Sequence, residues 1–314
     1  MKVPEELQFL VNARAPQHRT DAGMNGSVVV ITGATSGVGY QAARRFAAGG
    51  ARLVLVCRNR EKADRVKAEL TTGFGSAVSC VIADFSRLAE VRAAAAQILA
   101  ENTAIDVLVN NAGVHMTRRE LTPDGNEVAF GVNHLASFLL TRLLLDRMMK
   151  SAPSRIIQVN SQGHRFGGLD LSDITWERRR YRGIKGYGAS KVAQLFTVWE
   201  LAERLADSGV TINAMHPGEV RSGIGSNNGV IYRTYARVLI QPLLRDPAIS
   251  SEALYYLAAA PEMAGVSGRF FNQTIDEKPA AHALDRVLGR AVWDLSERLV
   301  GIGDPAGPSA GSAS

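Results

Sequence analysis

The hydrophobic positions of this chain alternate between two rhythms. Val28-Val29-Val30-Ile31 is an unbroken β-branched run, as expected of a strand covered on both faces. Thr32 to Gly39 follow, and then a helical spacing from about Tyr40 to Ala48 that stops at Gly49-Gly50. The unit recurs along the chain. Leu53 to Val56, Ala77 to Ile82, Ile105 to Val109, Arg155 to Val159 and Val210 to Ala214 read as strands. Glu61 to Leu70, Leu88 to Ala100, Gly125 to Met149 and Gly186 to Ala206 read as helices. Arg269-Phe270-Phe271 predicts a last strand and Ala283 to Leu299 a last helix.

Such alternation predicts an α/β fold: a single doubly wound, Rossmann-type parallel sheet with helices on both faces. Right-handed crossovers bring the strand C-termini to one edge, where these sheets bind ligands. Gly33, Arg58, Asp84, Asn111, Ser161 and Pro217 all lie just past strand ends. We read residues 27–300 as one domain, preceded by a polar extension, 1–26, with a short amphipathic piece around Leu7, Phe9 and Leu10. The pattern loosens over 223–261, a candidate substrate lid. Within it, residues 230–245 suit either a packed amphipathic helix or peripheral contact with a membrane. Residues 301–314 are rich in Gly, Pro, Ala and Ser and are expected to be disordered.

Composition narrows the class. The chain has 314 residues, 46% hydrophobic and 21% charged, as in globular proteins that bury a large core. The net charge of +6 is scattered, apart from Arg178-Arg179-Arg180. No aromatic-basic stripe accompanies it, which argues against nucleic acid as a partner. The two cysteines, Cys57 and Cys80, sit in or beside apolar runs and read as buried thiols of a reducing compartment. No signal peptide is recognisable, and no apolar run approaches the ~20 residues that cross a bilayer. A cytoplasmic location is therefore expected.

Two stretches carry chemistry. Gly33-x-x-x-Gly37-x-Gly39 joins a strand to a helix, where glycines permit a tight turn and close approach of a pyrophosphate to helix N–H groups. At the end of the second strand stands Arg58-Asn59 instead of an acid. An arginine there suits a 2′-phosphate, so NADP(H) is expected over NAD(H). Asp84 could accept a hydrogen bond from an adenine amino group or cap the helix before Leu88. Further on, Tyr187 and Lys191 stand four residues apart on one predicted helix face. An ammonium beside a phenol favours the phenolate and eases proton exchange with an alcohol or ketone. Tyr181 and Lys185 repeat the spacing, but Gly183 and Gly186 argue against a stable helix there.

As a set, Thr32–Gly39, Asn110–Gly113, Asn133, Ser161, Tyr187, Lys191 and Pro217-Gly218 resemble the short-chain dehydrogenase/reductase family in its compact branch. Closer features, Cys57-Arg58-Asn59, Gly131 to Leu135 and Ser151 to Ile156, resemble its retinol-dehydrogenase-like group. The resemblance implies Tyr187 as general acid in reduction and general base in oxidation. It implies Lys191 on the nicotinamide ribose and Ser161 on the substrate oxygen. Asn133 would anchor a water linking Lys191 to solvent. It implies a cofactor groove formed by Gly33, Thr35, Ser36, Gly37, Val38, Gly39, Arg58, Asn59, Asp84, Asn111, Gly113, Tyr187, Lys191 and Pro217, with Ser222 beside the nicotinamide amide.

About 25 residues separate Ser161 from Tyr187, a long excursion expected to loop out and border the substrate pocket. Its arginines read as solvated surface. His115, His134, His164 and His216 read as structural. The expected activity is reduction of an apolar, fairly large ketone or aldehyde, or the reverse oxidation of an alcohol. A non-catalytic dinucleotide sensor or scaffold is the alternative. The two long helices at 125–149 and 186–206 could build a homodimer or homotetramer.

Overall fold

Eight strands form one sheet: β1 (Val28–Thr32), β2 (Arg52–Cys57), β3 (Val78–Ile82), β4 (Val107–Asn110), β5 (Ser154–Val159), β6 (Val210–His216), β7 (Phe270–Asn272) and β8 (Ile275–Asp276). Their order is β3-β2-β1-β4-β5-β6-β7-β8, parallel except for the last pair. The computed structural model describes residues 8–220 and 246–302. The antiparallel β8 was not expected; Gln273 at φ 56° turns the chain back after β7.

Around the sheet lie helices α1 (Gln8–Asn12), α2 (Gly37–Ala48), α3 (Arg60–Phe74), α4 (Leu88–Glu101), α5 (Ala136–Lys150), α6 (Gly183–Arg204), α7 (Ala248–Ala259) and α8 (Arg286–Val300). The strands sort their side chains by the period of two. Val28 and Val30 enter one core with Phe138, Phe196 and Trp293; Val29 and Ile31 enter the other with Phe46, Leu254 and Tyr255. β1 is therefore buried at all five positions.

Three expectations change. Gly125 lies outside the helix, at φ 80° in a turn, and a π-helical segment, Phe130–Leu135, leads into α5. α6 begins at Gly183 despite its glycines, so Lys185 is helical while Tyr181 stands before the helix. α7, placed in the lid by its sequence position, is a core helix whose Leu254 and Tyr255 are fully buried. α8 packs against α6, with Gly289 facing Phe196, and Arg142 of α5 reaches Glu297. Residues 221–245, including Ser222 and the stretch 230–245, lie outside the described residues, as does nearly all of the 301–314 tail. Among the described residues, no helix is long and apolar enough to cross a membrane.

Candidate active site

The C-terminal edge of the sheet opens into a cavity of about 560 Å³. Its lining includes every expected cofactor residue among the described ones, from Gly33 through Arg58, Asp84 and Asn111 to Pro217, together with Ser161, Tyr187 and Lys191. β1 and β4 are neighbours here although two strands, β2 and β3, come between them in chain order, so the groove lies where the winding reverses.

The glycine turn is shaped for close approach. Gly33 sits at φ 68°, and a Cβ there would stand 3.0 Å from Ala112 Cα. A Cβ on Gly39 would stand 2.5 Å from the Gly33 carbonyl oxygen. Asn111 braces the turn from the next strand, donating from Nδ2 to the Thr32 carbonyl at 2.8 Å. α2 then follows Ser36, which makes no side-chain cap, and has no acidic residue in its first turn. Its free N–H groups and positive dipole end suit an anion, and this cradle fits a dinucleotide pyrophosphate.

The adenosine end differs in detail from expectation. Asn59 caps α3, accepting from Lys62 N at 2.8 Å. Lys62 joins Arg58 on the cavity wall, a second cation that sequence reading missed although it lies only one helical turn on. Asp84 is not a helix cap; it accepts from Ser86 N at 2.9 Å in a local turn, and Arg87 takes the cap position.

Ser161, Tyr187 and Lys191 converge at the other end. Ser161 Oγ accepts from Gly163 N at 3.0 Å, and the Tyr187 ring lies against the same glycine, where a Cβ would meet it at 2.8 Å. Lys191 Nζ lies 5.5 Å from the Tyr187 ring centroid. It donates to the Val159 carbonyl and to Gln194 Oε1, both at 3.0 Å. Burial pushes the Tyr187 phenol up to about 12, with the Ser161 bond pulling down and the Glu219 charge adding to the rise. Burial also brings Lys191 down to about 7. The expected depression of the phenol is therefore absent, because both groups are desolvated and the ammonium turns to its own acceptors.

Asn133 lies in the π-helical segment, outside the cavity wall. Its side chain is spent on Val114, accepting from N at 2.7 Å and donating to O at 3.0 Å, and on Ser190 Oγ at 2.9 Å. Its main-chain carbonyl accepts from Ser137 Oγ at 2.8 Å and Gln194 Nε2 at 2.5 Å. Gln194 thus reaches both Lys191 and the Asn133 carbonyl. Sequence reading missed it; its place three residues after Lys191, on the same helix face, is the available signal.

The histidines divide. His134 Nε2 meets Ser296 Oγ at 2.7 Å in the core. His164 Nε2 accepts from Ala280 N at 3.2 Å, so Nδ1 carries the hydrogen given to the Ser161 carbonyl at 2.7 Å. Burial pushes it down to about 4, a neutral strut behind Ser161. His115 and His216, by contrast, line the cavity. His115 stands edge-on to the Tyr187 ring at 5.5 Å between centroids. His216 ends β6 and His115 follows β4 closely, positions that could have singled them out.

The excursion between Ser161 and Tyr187 folds onto itself. Asp173 gathers it, accepting from the main-chain N of Glu177, Arg178 and Arg179. Arg179 stacks over Trp176 at 4.2 Å and pairs with Asp173 at 3.0 Å. Among the described residues, none from 162 to 186 lines the cavity at the sheet edge.

Comparison with known proteins agrees with this architecture. The short chain dehydrogenase family profile matches residues 27–229. Retinol dehydrogenase 13 of Homo sapiens is 38% identical over 290 residues, 91% of this chain and 88% of that protein. An uncharacterized protein from Mycobacterium paratuberculosis has a similar structure, with TM-score 0.72, 29% identity, and coverage of 89% of this chain and 95% of that one. The 3-ketoacyl-(acyl-carrier-protein) reductase from Brucella melitensis, complexed with NADH, gives TM-score 0.61 and 28% identity, covering 80% of this chain and 97% of that one. The chain belongs to the short-chain dehydrogenase family of nicotinamide-dinucleotide oxidoreductases, alongside its retinol-dehydrogenase-like members.

Proposed function

We propose that the protein is an NADP(H)-dependent reductase of apolar, fairly large ketones or aldehydes, running in reverse as an alcohol dehydrogenase. The observation that carries this reading is the meeting of Ser161, Tyr187 and Lys191 in the groove that also holds the glycine cradle. When bound, the nicotinamide supplies the hydride. The residues would divide the remaining work. The turn from Gly33 to Gly39 and the start of α2 would hold the pyrophosphate. Ser161 would hydrogen-bond the substrate oxygen where negative charge develops. Tyr187 would donate the phenol proton to that oxygen. With its phenol up at about 12, Tyr187 keeps its proton at neutral pH, as a general acid must.

Two features support the finer choices. The end of β2 offers no acid, while Arg58 and Lys62 both line the cavity. The Brucella neighbour carries NADH, so the cofactor preference rests on these two cations of this chain. Val114, Val128, Val132, Val159 and Val220 give the wall an apolar character. The name of the human relative, a retinol dehydrogenase, fits an apolar alcohol.

The test is steady-state reduction of a panel of apolar ketones and aldehydes, retinal included, with NADPH and NADH in parallel. NADPH is expected to give at least about tenfold higher kcat/KM, the worth of one charged hydrogen bond. Tyr187→Phe should abolish turnover. If the wild type turns over none of the panel with either cofactor, the reading fails.

A further inference from the structure

The excursion between Ser161 and Tyr187 carries a second cavity, of about 570 Å³, and no residue that lines it also lines the cavity at the sheet edge. Its wall holds four cations, Arg179, Arg180, Arg182 and Lys185, against one acid, Asp170. Leu169 and the buried Trp176 give it an apolar side.

The charges do not cancel. The acids of the excursion are Asp170, Asp173 and Glu177. Asp170 and Asp173 both pair with Arg179, at 3.5 and 3.0 Å, and Glu177 pairs with Arg119 at 3.7 Å. Among the described residues, no carboxylate pairs with Arg180, Arg182 or Lys185, so like charges that repel one another share one wall. The frame beneath them is fixed. Trp176 turns the chain at φ 59°, a left-handed conformation uncommon for a bulky residue and a pointer to function. Its indole lies under Arg179 at 4.2 Å and edge-on to Tyr181 at 5.4 Å. Asp173 holds the main-chain N–H groups of Glu177, Arg178 and Arg179, which anchors the chain immediately before Arg180. A wall set in place beforehand loses less entropy when a ligand arrives.

We propose that this cavity is a binding site for a small organic phosphate, separate from the dinucleotide groove. A phosphate dianion brings the charge and the acceptor oxygens that Arg180, Arg182 and Lys185 lack within the chain. Inorganic phosphate would leave most of the volume unfilled, and cavities of this size take organic ligands. The organic body would lie on the Leu169 and Trp176 side. The two cavities have no lining residue in common, so the site stands whether or not the protein reduces carbonyls.

Trp176 reports on the site directly, because the chain has only three tryptophans. Phenyl phosphate is titrated into the ¹⁵N-labelled full chain at constant ionic strength. The Trp176 indole N–H signal, assigned against Trp176→Phe, is followed by NMR. We expect a saturable shift at millimolar ligand or below, weakening as salt is raised, while the Trp199 and Trp293 signals stay in place. Benzoate, with a single charge, should bind at least about tenfold more weakly, the worth of one hydrogen bond to a charged group. The Arg180→Ala/Arg182→Ala/Lys185→Ala variant should lose at least about tenfold in affinity for phenyl phosphate. Lys185→Glu, a single charge reversal at an exposed position, should weaken binding too and serves if the triple variant does not fold. Saturating NADPH should leave the Trp176 shift intact. The inference is overturned if no saturable shift is seen, if benzoate binds equally well, if NADPH abolishes the shift, or if the folded variants keep the wild-type affinity.

Discussion

Tyr181 donates its hydroxyl hydrogen to Glu127 Oε1 at 2.9 Å, which takes this tyrosine out of the active site and makes it a strut. Glu127 is buried and caps the start of the π-helical segment, accepting from Ala129 N at 2.9 Å and Phe130 N at 2.8 Å. Burial pushes its carboxyl up, while those bonds and the Tyr181 hydroxyl pull it down. The Tyr181–Glu127 bond therefore fastens the excursion before α6 to the helix that carries Asn133. Tyr181→Phe should destabilise the protein by about 1.5–3 kcal/mol, the range for a bond to a charged group. It should leave kcat within a few-fold of the wild type, whereas Tyr187→Phe should remove turnover. Urea unfolding and kinetics on the two variants check this, and equal loss of activity in both would reverse the assignment.

Lys191 predicts a pH dependence of stability. Its folded value is brought down to about 7 by burial, from an ordinary 10.5. Between those values the unfolded chain binds a proton that the folded chain does not, so stability rises with pH across the window. The contribution is complete above about 10.5 and is lost as pH falls through about 7. The total amounts to several kcal/mol. In Lys191→Met this slope should vanish, whatever constant offset the lost hydrogen bonds add. Unfolding free energies of both proteins at intervals from pH 6.5 to 9 measure it; parallel curves would contradict the buried, low-lying lysine.

Much of this arrangement was legible in the residues because it depends on local pattern. The β-branched runs gave the strands and the order of elements, and the glycine turn, Ser161, Tyr187 and Lys191 were found by their positions past strand ends or on a helix face. The parts that escaped depend on contacts between distant segments. Lys62 and Gln194 sit on helices that reveal their role only when α3 and α6 meet the sheet edge. The direction of the Tyr187 shift depends on burial from many elements, which no spacing reports. The start of α6 at Gly183 went against propensity because tertiary contacts override it: a Cβ on Gly186 would stand 2.7 Å from the Tyr181 hydroxyl. His115 looked structural because nothing in its neighbours says that it turns toward Tyr187.

Cofactor choice should reside in two side chains. Arg58 and Lys62 line the adenosine end of the cavity, and Asn59, between them, is occupied in capping α3. Arg58→Asp would place an acid where a ribose hydroxyl pair is held in NAD-binding relatives of this fold, and like charge would repel a 2′-phosphate. We expect kcat/KM with NADPH to fall by about 10–100-fold, one to two charged hydrogen bonds, and NADH to become the better cofactor. Lys62→Ala should weaken NADPH alone and more mildly. Unchanged NADPH to NADH ratios in both variants would move the source of selectivity elsewhere.

The glycine turn gives the most local test. Gly39 has a negative φ, so a side chain there meets no backbone strain; the obstacle is space. A Cβ would press on the Gly33 carbonyl at 2.5 Å and on the Asn111 side chain that holds Thr32 in place. Neither neighbour is the loose end of a flexible side chain. Gly39→Ala must therefore shift the turn between β1 and α2, the part of the cradle that approaches the pyrophosphate most closely. The sheet itself has no part in that clash, since β1 pairs with β2 and β4 below the turn. Dinucleotide affinity should fall at least about tenfold, equivalent to one charged hydrogen bond, while far-UV circular dichroism stays that of the wild type. Titration of intrinsic fluorescence with NADPH measures the first. Wild-type affinity in the variant would mean that the turn between Gly33 and Gly39 does not hold the phosphates.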